Sequence, residues 1–223
     1  MLENNNSKSE DLKENIILCK KEQSIQSFFR WDIVEDAEIV GNHHHPQLKP
    51  ISEIPDIKRL VTFNNAPYEK HPEECGLCFY NNRNKYKNLI IRFPLVIGLD
   101  YSILCNMYYP QQAYNCWRNY VMTYWLQQIH PTVVPNAGFG DAETLQWTLD
   151  GMPYDSWIAV TSQGCLDNYV LKHTFLNGLH ELVRQKHPKG IIVYGLFPQE
   201  WIDKFPVPII VYKSYAQTKW GES

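Results

Sequence analysis

Past residue 88 the chain alternates short β-branched runs with longer stretches that carry apolar residues at helical spacing, whereas before residue 88 proline recurs too often for a long helix. The runs at residues 96–100, 132–136, 157–161, 190–194 and 207–212 are rich in Val, Ile and Tyr, so they read as strands. Residues 111–129, 142–149, 169–186 and 199–204 lie between them and read as helices. Strands separated by helices run parallel with right-handed crossovers. The expectation is therefore an α/β fold whose parallel sheet is built from successive βα units, as a partial TIM-like barrel or an open sheet. A complete eightfold barrel takes about 250 residues, and this chain has 223.

Residues 1–27 are polar, Asn-rich and charged, with an apolar face only at Ile16, Ile17 and Leu18, and read as a flexible polar arm. Residues 28–88 hold Pro46, Pro50, Pro55, Pro67 and Pro72 and read as an irregular region packing on the core, with one strand candidate at residues 59–64. Residues 89–223 form the expected core domain.

Charge and cysteine content narrow the function classes. The net charge is -3, which lacks the basic footprint of broad nucleic-acid binding. The run "YNNRNKYK" at residues 80–87 mixes basic and aromatic residues as a single-strand groove would, but a solvated loop is the preferred reading. Glu3, Glu10, Asp11 and Glu14 rule out an apolar secretory core at the start, and no apolar run approaches a bilayer span. The expected location is cytoplasmic, with no membrane partner. Six scattered cysteines read as thiols or metal ligands rather than a disulfide scaffold. His71, Cys75 and Cys78 have the spacing H-x3-C-x2-C, and His43, His44 and His45 lie upstream, so four ligands for a structural zinc can be counted. The competing reading of the His triplet is a solvated turn beside Pro46.

In a parallel α/β fold the segments leaving the carboxyl ends of the strands gather on one rim, where sites form. Asp100 closes the first core strand and is the leading candidate for a general base or a divalent-metal ligand. In "NAGFGDAETLQW" (residues 136–147), Asp141 and Glu143 complete an acidic set that could act with Asp100, Asp141 as a second metal ligand; a helix cap is the competing reading of Asp141. Asn136, Gln163 and Tyr194 fall at further rim positions and are ligand-binding candidates. Gln112, Asn115, Arg118 and Asn119 share one helix face, so Asn115 and Arg118 could orient an oxygen-rich ligand; the wet side of an amphipathic helix is the preferred alternative. Cys165 precedes a helix, where a thiol can be activated, but a buried inert thiol reads better.

Several short motifs follow in order: "FNNA" (63–66), "GLDYS" (98–102), Gln112, Asn115 and Arg118 followed by "YW" (124–125), "GDAET" (140–144), "DGMP" (150–153), "IAVTSQGC" (158–165), "FLNG" (175–178) and "IIVYG" (191–195). In that order and spacing they resemble the domain of unknown function 4417 family of bacteria and their phages. The chain departs from the pattern in a shortened "HPEECGLCFYNNRNKYK" segment and at Phe139, where tryptophan is expected. The resemblance implies a phage or mobile-element protein and carries over no activity. Two functions are expected from the residues. One is a rim pocket that binds or hydrolyses a small phosphate-bearing or nucleotide-like ligand, with a divalent cation as candidate cofactor. The other is a non-catalytic interaction protein that inhibits or redirects a host protein through the Pro-rich third and exposed Tyr and Trp residues.

Overall fold

The structure, a computed structural model, describes residues 30–57, 76–214 and 217–218. The chain divides into two compact units, residues 1–36 and 37–223. In the first, a 3-10 turn spans Trp31–Ile33, and Arg30 pairs with Asp32 at 3.0 Å. The strand candidate at residues 59–64 lies outside the described residues.

The second unit opens with a small antiparallel hairpin, β1 (Ile39–Val40) against β2 (His45–Pro46). Helix α1 (Gly76–Ile90) follows, then β3 (Val96–Ile97), α2 (Tyr109–Ile129), β4 (Val133–Val134), β5 (Asn136–Ala137), β6 (Trp157–Thr161), α3 (Tyr169–Lys186), β7 (Gly190–Tyr194), the short α4 (Gln199–Ile202) and β8 (Ile209–Tyr212). Strands β5, β6, β7 and β8 form one parallel sheet in chain order, while β3 pairs in parallel with β4. Pro135 separates β4 from β5, and a residue without an amide hydrogen cannot continue the ladder. The single strand expected over residues 132–136 is thus two short ones with different partners. Among the described strands β3 and β8 do not pair with each other, so the strands do not close into a ring.

The two faces of the sheet are covered differently. Ile158, Val160, Ile191 and Val193 meet Cys116 and Tyr120 of α2 and Phe175, Leu179 and Leu182 of α3. Ala159, Ile192 and Tyr194 point the other way, toward Ile51, Ile54 and Ile57. Alternation along each strand makes both faces apolar, as a sheet covered on both sides requires. Each fully buried Ile, Leu or Val contributes roughly 1.5–3 kcal/mol, so these two layers hold the fold. The extended segment at residues 51–57 is fastened as well as packed. Ile51 N–H donates to Ser156 Oγ at 2.9 Å, Trp157 N–H to Ile51 O at 2.9 Å, and Tyr212 Oη to Ile57 O at 3.2 Å.

Three local readings are corrected. The segment holding "YNNRNKYK" is part of a 15-residue helix, not a loop. No proline or internal glycine interrupts residues 77–90, and tertiary burial of Tyr80 and Ile90 outweighs the weak propensity of its asparagines. The helix expected over residues 142–149 is a 3-10 turn at Thr144–Gln146 followed by further turns. Of the His triplet, His43 and His44 lie in the turn, exposed His44 at φ 57°, whereas His45 belongs to β2 and is wholly buried.

Helix ends follow their sequence signals. Pro110 occupies the first turn of α2, and Pro131 stands just past its end. Asn168 caps α3 by accepting Leu171 N–H at 3.0 Å. Helix α3 ends on His187 in the left-handed region (φ 47°, ψ 53°), a place that favours glycine. His187→Gly should therefore stabilise the chain by roughly 1 kcal/mol and raise its melting temperature by about 2–4 °C. Thermal unfolding followed by circular dichroism checks this, and an unchanged or lower midpoint contradicts it.

Candidate functional site

A cleft of about 70 Å³ opens where the segments leaving β3, β5 and β6 meet the first turns of α3. A cleft of that size holds about five waters or one small polar group. Asp100 and Ser102 come from the loop after β3, Phe139 from the loop after β5, Gln163 and Cys165 from the loop after β6, and Thr174 from α3. Three of the five rim segments expected from the βα order thus converge. Asp100 is the charged side chain of the lining, and among the described residues no Lys, Arg or His lines it.

The walls are set by packing. Gly178 on α3 faces the Phe139 ring so closely that an added Cβ would lie 2.2 Å from it, and this lets Phe139 close the cleft. The polar stripe of α2 does not face water. Buried Asn119 accepts Tyr101 N–H at 2.6 Å and donates to Tyr101 O at 2.9 Å. Asn115 donates to Ser102 O at 2.6 Å, and Gln112 to Met107 O at 3.0 Å. These amides satisfy the backbone of the loop that carries Asp100, Ser102 and Cys105 past the helix. Arg118 donates to Asn115 Oδ1 and lies 4.0 Å and 4.7 Å from the Tyr101 and Tyr114 ring centres. Asn115 and Arg118 therefore stand behind the wall of the cleft rather than on its surface.

The remaining candidates fall at varied distances from this cleft. Gln163 lines it. Asp141 caps the 3-10 turn, accepting Thr144 N–H at 2.9 Å and Gln112 Nε2 at 3.2 Å, and these bonds hold its carboxyl below the usual range. Glu143 is exposed at the start of that turn. Neither acid lines the cleft with Asp100. Asn136 is buried and donates to Leu99 O at 3.3 Å, and Tyr194 is buried at the end of β7 on the sheet face that residues 51–57 cover. His71 and Cys75 lie outside the described residues, and Cys78 sits in the first turn of α1. Among the described residues no three His, Cys, Asp or Glu side chains gather as a metal site. Cys165 is no activated nucleophile: burial, with the negative charges of Asp100 and Asp167, pushes its thiol up to about 12. Thr174 and Phe175 were missed in the sequence, although they follow Leu171 by three and four positions and so share its helix face.

A second cluster, built from the His triplet and aromatic side chains, lies at the β1–β2 hairpin. The His45 ring stacks on Tyr120 at 4.3 Å and the His43 ring on Trp147 at 4.2 Å, while His43 Nε2 lies 2.8 Å from Tyr109 Oη. Both His45 nitrogens are buried without a hydrogen-bond partner among the described residues. Burial, reinforced by His43 and His44, pulls its pKa down to about 3. An unfolded histidine takes its proton near pH 6.5, so the neutral ring favours the folded chain fully above that pH, and stability falls as pH drops from about 6.5 toward 3. The loss approaches roughly 1.4 kcal/mol per pH unit well below 6.5. His45→Phe keeps a flat ring on Tyr120 and removes the titrating group, so it should flatten this acid limb without weakening the fold at neutral pH. Urea unfolding across the pH range reads both effects, and an acid limb unchanged in the variant would assign the loss to other groups.

Comparison with known proteins gives the chain its relatives. A 97-residue stretch is 31% identical to the Gene 1 protein of Mycobacterium phage L5, covering 43% of this chain and 42% of that protein. A 163-residue stretch is 29% identical to the Gene 1 protein of Mycobacterium phage D29, covering 67% of this chain and 59% of its relative. The chain thus spans less than two thirds of either curated relative. No solved structure matches it. Among the described residues no helix is long and apolar enough to cross a membrane. The family pattern matches residues 37–213, which include every element of the second unit, and the chain belongs to the family described as Domain of unknown function (DUF4417).

Proposed function

We propose that the rim cleft is a binding site for a small ligand, and that the phosphate end of a phosphate-bearing or nucleotide-like ligand enters it together with a divalent cation held by Asp100. One observation carries this reading: Asp100 is the charged group of a concave rim lining that holds no Lys, Arg or His among the described residues. A bare phosphate would bring negative charge toward a carboxylate, whereas Mg²⁺ is commonly held by one or two carboxylates together with ligand phosphates and water. Ser102, Thr161 and Gln163 supply neutral hydrogen-bonding groups around that anchor. Cys165, held protonated, adds a neutral wall rather than a nucleophile. Asn115, Asn119 and Arg118 serve the same site indirectly by fixing the loop that carries Asp100. If the bound phosphate ester is hydrolysed, Asp100 is the side chain placed to accept a proton from water.

The test is calorimetric titration of the full chain with Mg²⁺ and ADP, followed by Asp100→Asn. Losing one charge-assisted contact is worth roughly 1.5–3 kcal/mol, so the variant should bind about ten- to a hundredfold more weakly while melting at the same temperature. Wild-type protein that takes up no Mg–ADP, or an Asp100→Asn titration equal to that of wild type, overturns the reading.

A further inference from the structure

The β1–β2 hairpin gathers buried ring nitrogens that the fold leaves unused. His45 is wholly buried and stacks on Tyr120, yet neither of its nitrogens has a hydrogen-bond partner among the described residues. His43, two positions earlier, stacks on Trp147 and spends Nε2 on the Tyr109 hydroxyl at 2.8 Å. Its Nδ1 is buried and has no partner among the described residues either. Buried polar atoms are nearly always paired, so two neighbouring imidazoles with unused nitrogens call for a function beyond packing.

Imidazole chemistry selects the occupant. With its proton on Nε2 and donated to Tyr109 Oη, His43 keeps the Nδ1 lone pair free, the arrangement in which an outer partner orients a metal-ligating histidine. A neutral His45 always carries one nitrogen lone pair, and burial holds that ring neutral far into acid. Two imidazoles that share one ion at metal–nitrogen bonds of about 2.0–2.1 Å have ring centres at most about 6.4 Å apart. The centres of His43 and His45 are 6.2 Å apart, inside that reach, and stacking on Trp147 and Tyr120 holds both rings in place. Negative charge stands at the same turn: a Cβ added to Gly41 would lie 2.1 Å from Asp150 Oδ2. We infer that His43 Nδ1 and a His45 nitrogen hold one divalent transition-metal ion of the imidazole-preferring class, such as Zn²⁺ or Cu²⁺, with Tyr109 as the outer partner of His43. Among the described residues no third His, Cys, Asp or Glu completes the set, so the other coordination positions go to water or a small ligand. An ion held in this way keeps open positions, as catalytic zinc does and structural zinc does not. None of these residues lines the rim cleft, and the inference is independent of the function proposed for it.

The experiment is calorimetric titration of the full chain with Zn²⁺, joined to electron paramagnetic resonance of protein carrying about half an equivalent of Cu²⁺, which occupies the strongest nitrogen site first. One Zn²⁺ should bind per chain, and the Cu²⁺ spectrum should show coupling to two imidazole nitrogens. His45→Phe and His43→Phe should each abolish the site, whereas His44→Ala, at the exposed member of the triplet, should leave it intact. Tyr109→Phe should weaken binding roughly ten- to a hundredfold through loss of the outer partner. Thermal unfolding of each variant without metal separates a lost ligand from a lost fold, and Tyr109→Phe, at a partly exposed position, tests the site without touching the core. Absence of Zn²⁺ uptake, a site that survives His43→Phe or His45→Phe, a site lost with His44→Ala, or Tyr109→Phe binding equal to wild type would overturn the inference.

Discussion

Asn119 holds both the N–H and the C=O of Tyr101, and the geometry of the rim depends on that pair of hydrogen bonds. A loop that leaves a buried strand end beside a helix cannot reach water, so its backbone groups must be satisfied by side chains or cost roughly 1–3 kcal/mol each. Helix α2 meets this demand with a row of amides, Gln112, Asn115 and Asn119, spaced to face one side. The loop is thereby given one path, and Asp100, Ser102 and Cys105 are carried to the mouth of the cleft. The same row explains why a largely aromatic and apolar helix carries so many amide side chains. They are the inner support of a wall.

The sequence made the βα order legible, and with it the rim. β-Branched runs and their boundaries located the strands β6, β7 and β8, and the position of Asp100 at a strand end followed from that order. What escaped was decided by contacts distant in sequence. Helix α1 has a polar composition and earns its place through burial of Tyr80 and Ile90. Pro135 splits a strand because the two halves pair with different neighbours, which no local pattern records. His45 looks like one third of a polar triplet until Tyr120, seventy-five positions away, is seen to cover its ring. The cleft was half legible: its loops could be named, whereas Thr174 and Phe175 depended on which face of α3 turns toward the loops.

Several of the short motifs that resemble the family's have structural work that can be stated. In "GDAET" the aspartate caps the next turn through Thr144, and in "FLNG" the glycine admits the Phe139 ring. In "IIVYG" the glycine adopts φ 121° as the chain leaves β7 beside Ser162. The motif "GLDYS" differs, since its aspartate lines the cleft while its tyrosine is the residue that Asn119 holds. The motifs thus mix positions that hold the fold with one that lines the cleft, and only the geometry separates them.

The extended segment at residues 51–57 has a consequence for how this chain comes to fold. It covers one face of the parallel sheet and is fastened to Ser156, Trp157 and Tyr212, which lie about a hundred or more positions later. During synthesis it leaves the ribosome well before the strands it must cover, so its isoleucines wait without their partners. Contacts of such long sequence separation slow folding and leave apolar surface open in the interim. The prolines at 50 and 55 suit that interval, because they hold the waiting segment extended and keep it from settling into a helix of its own.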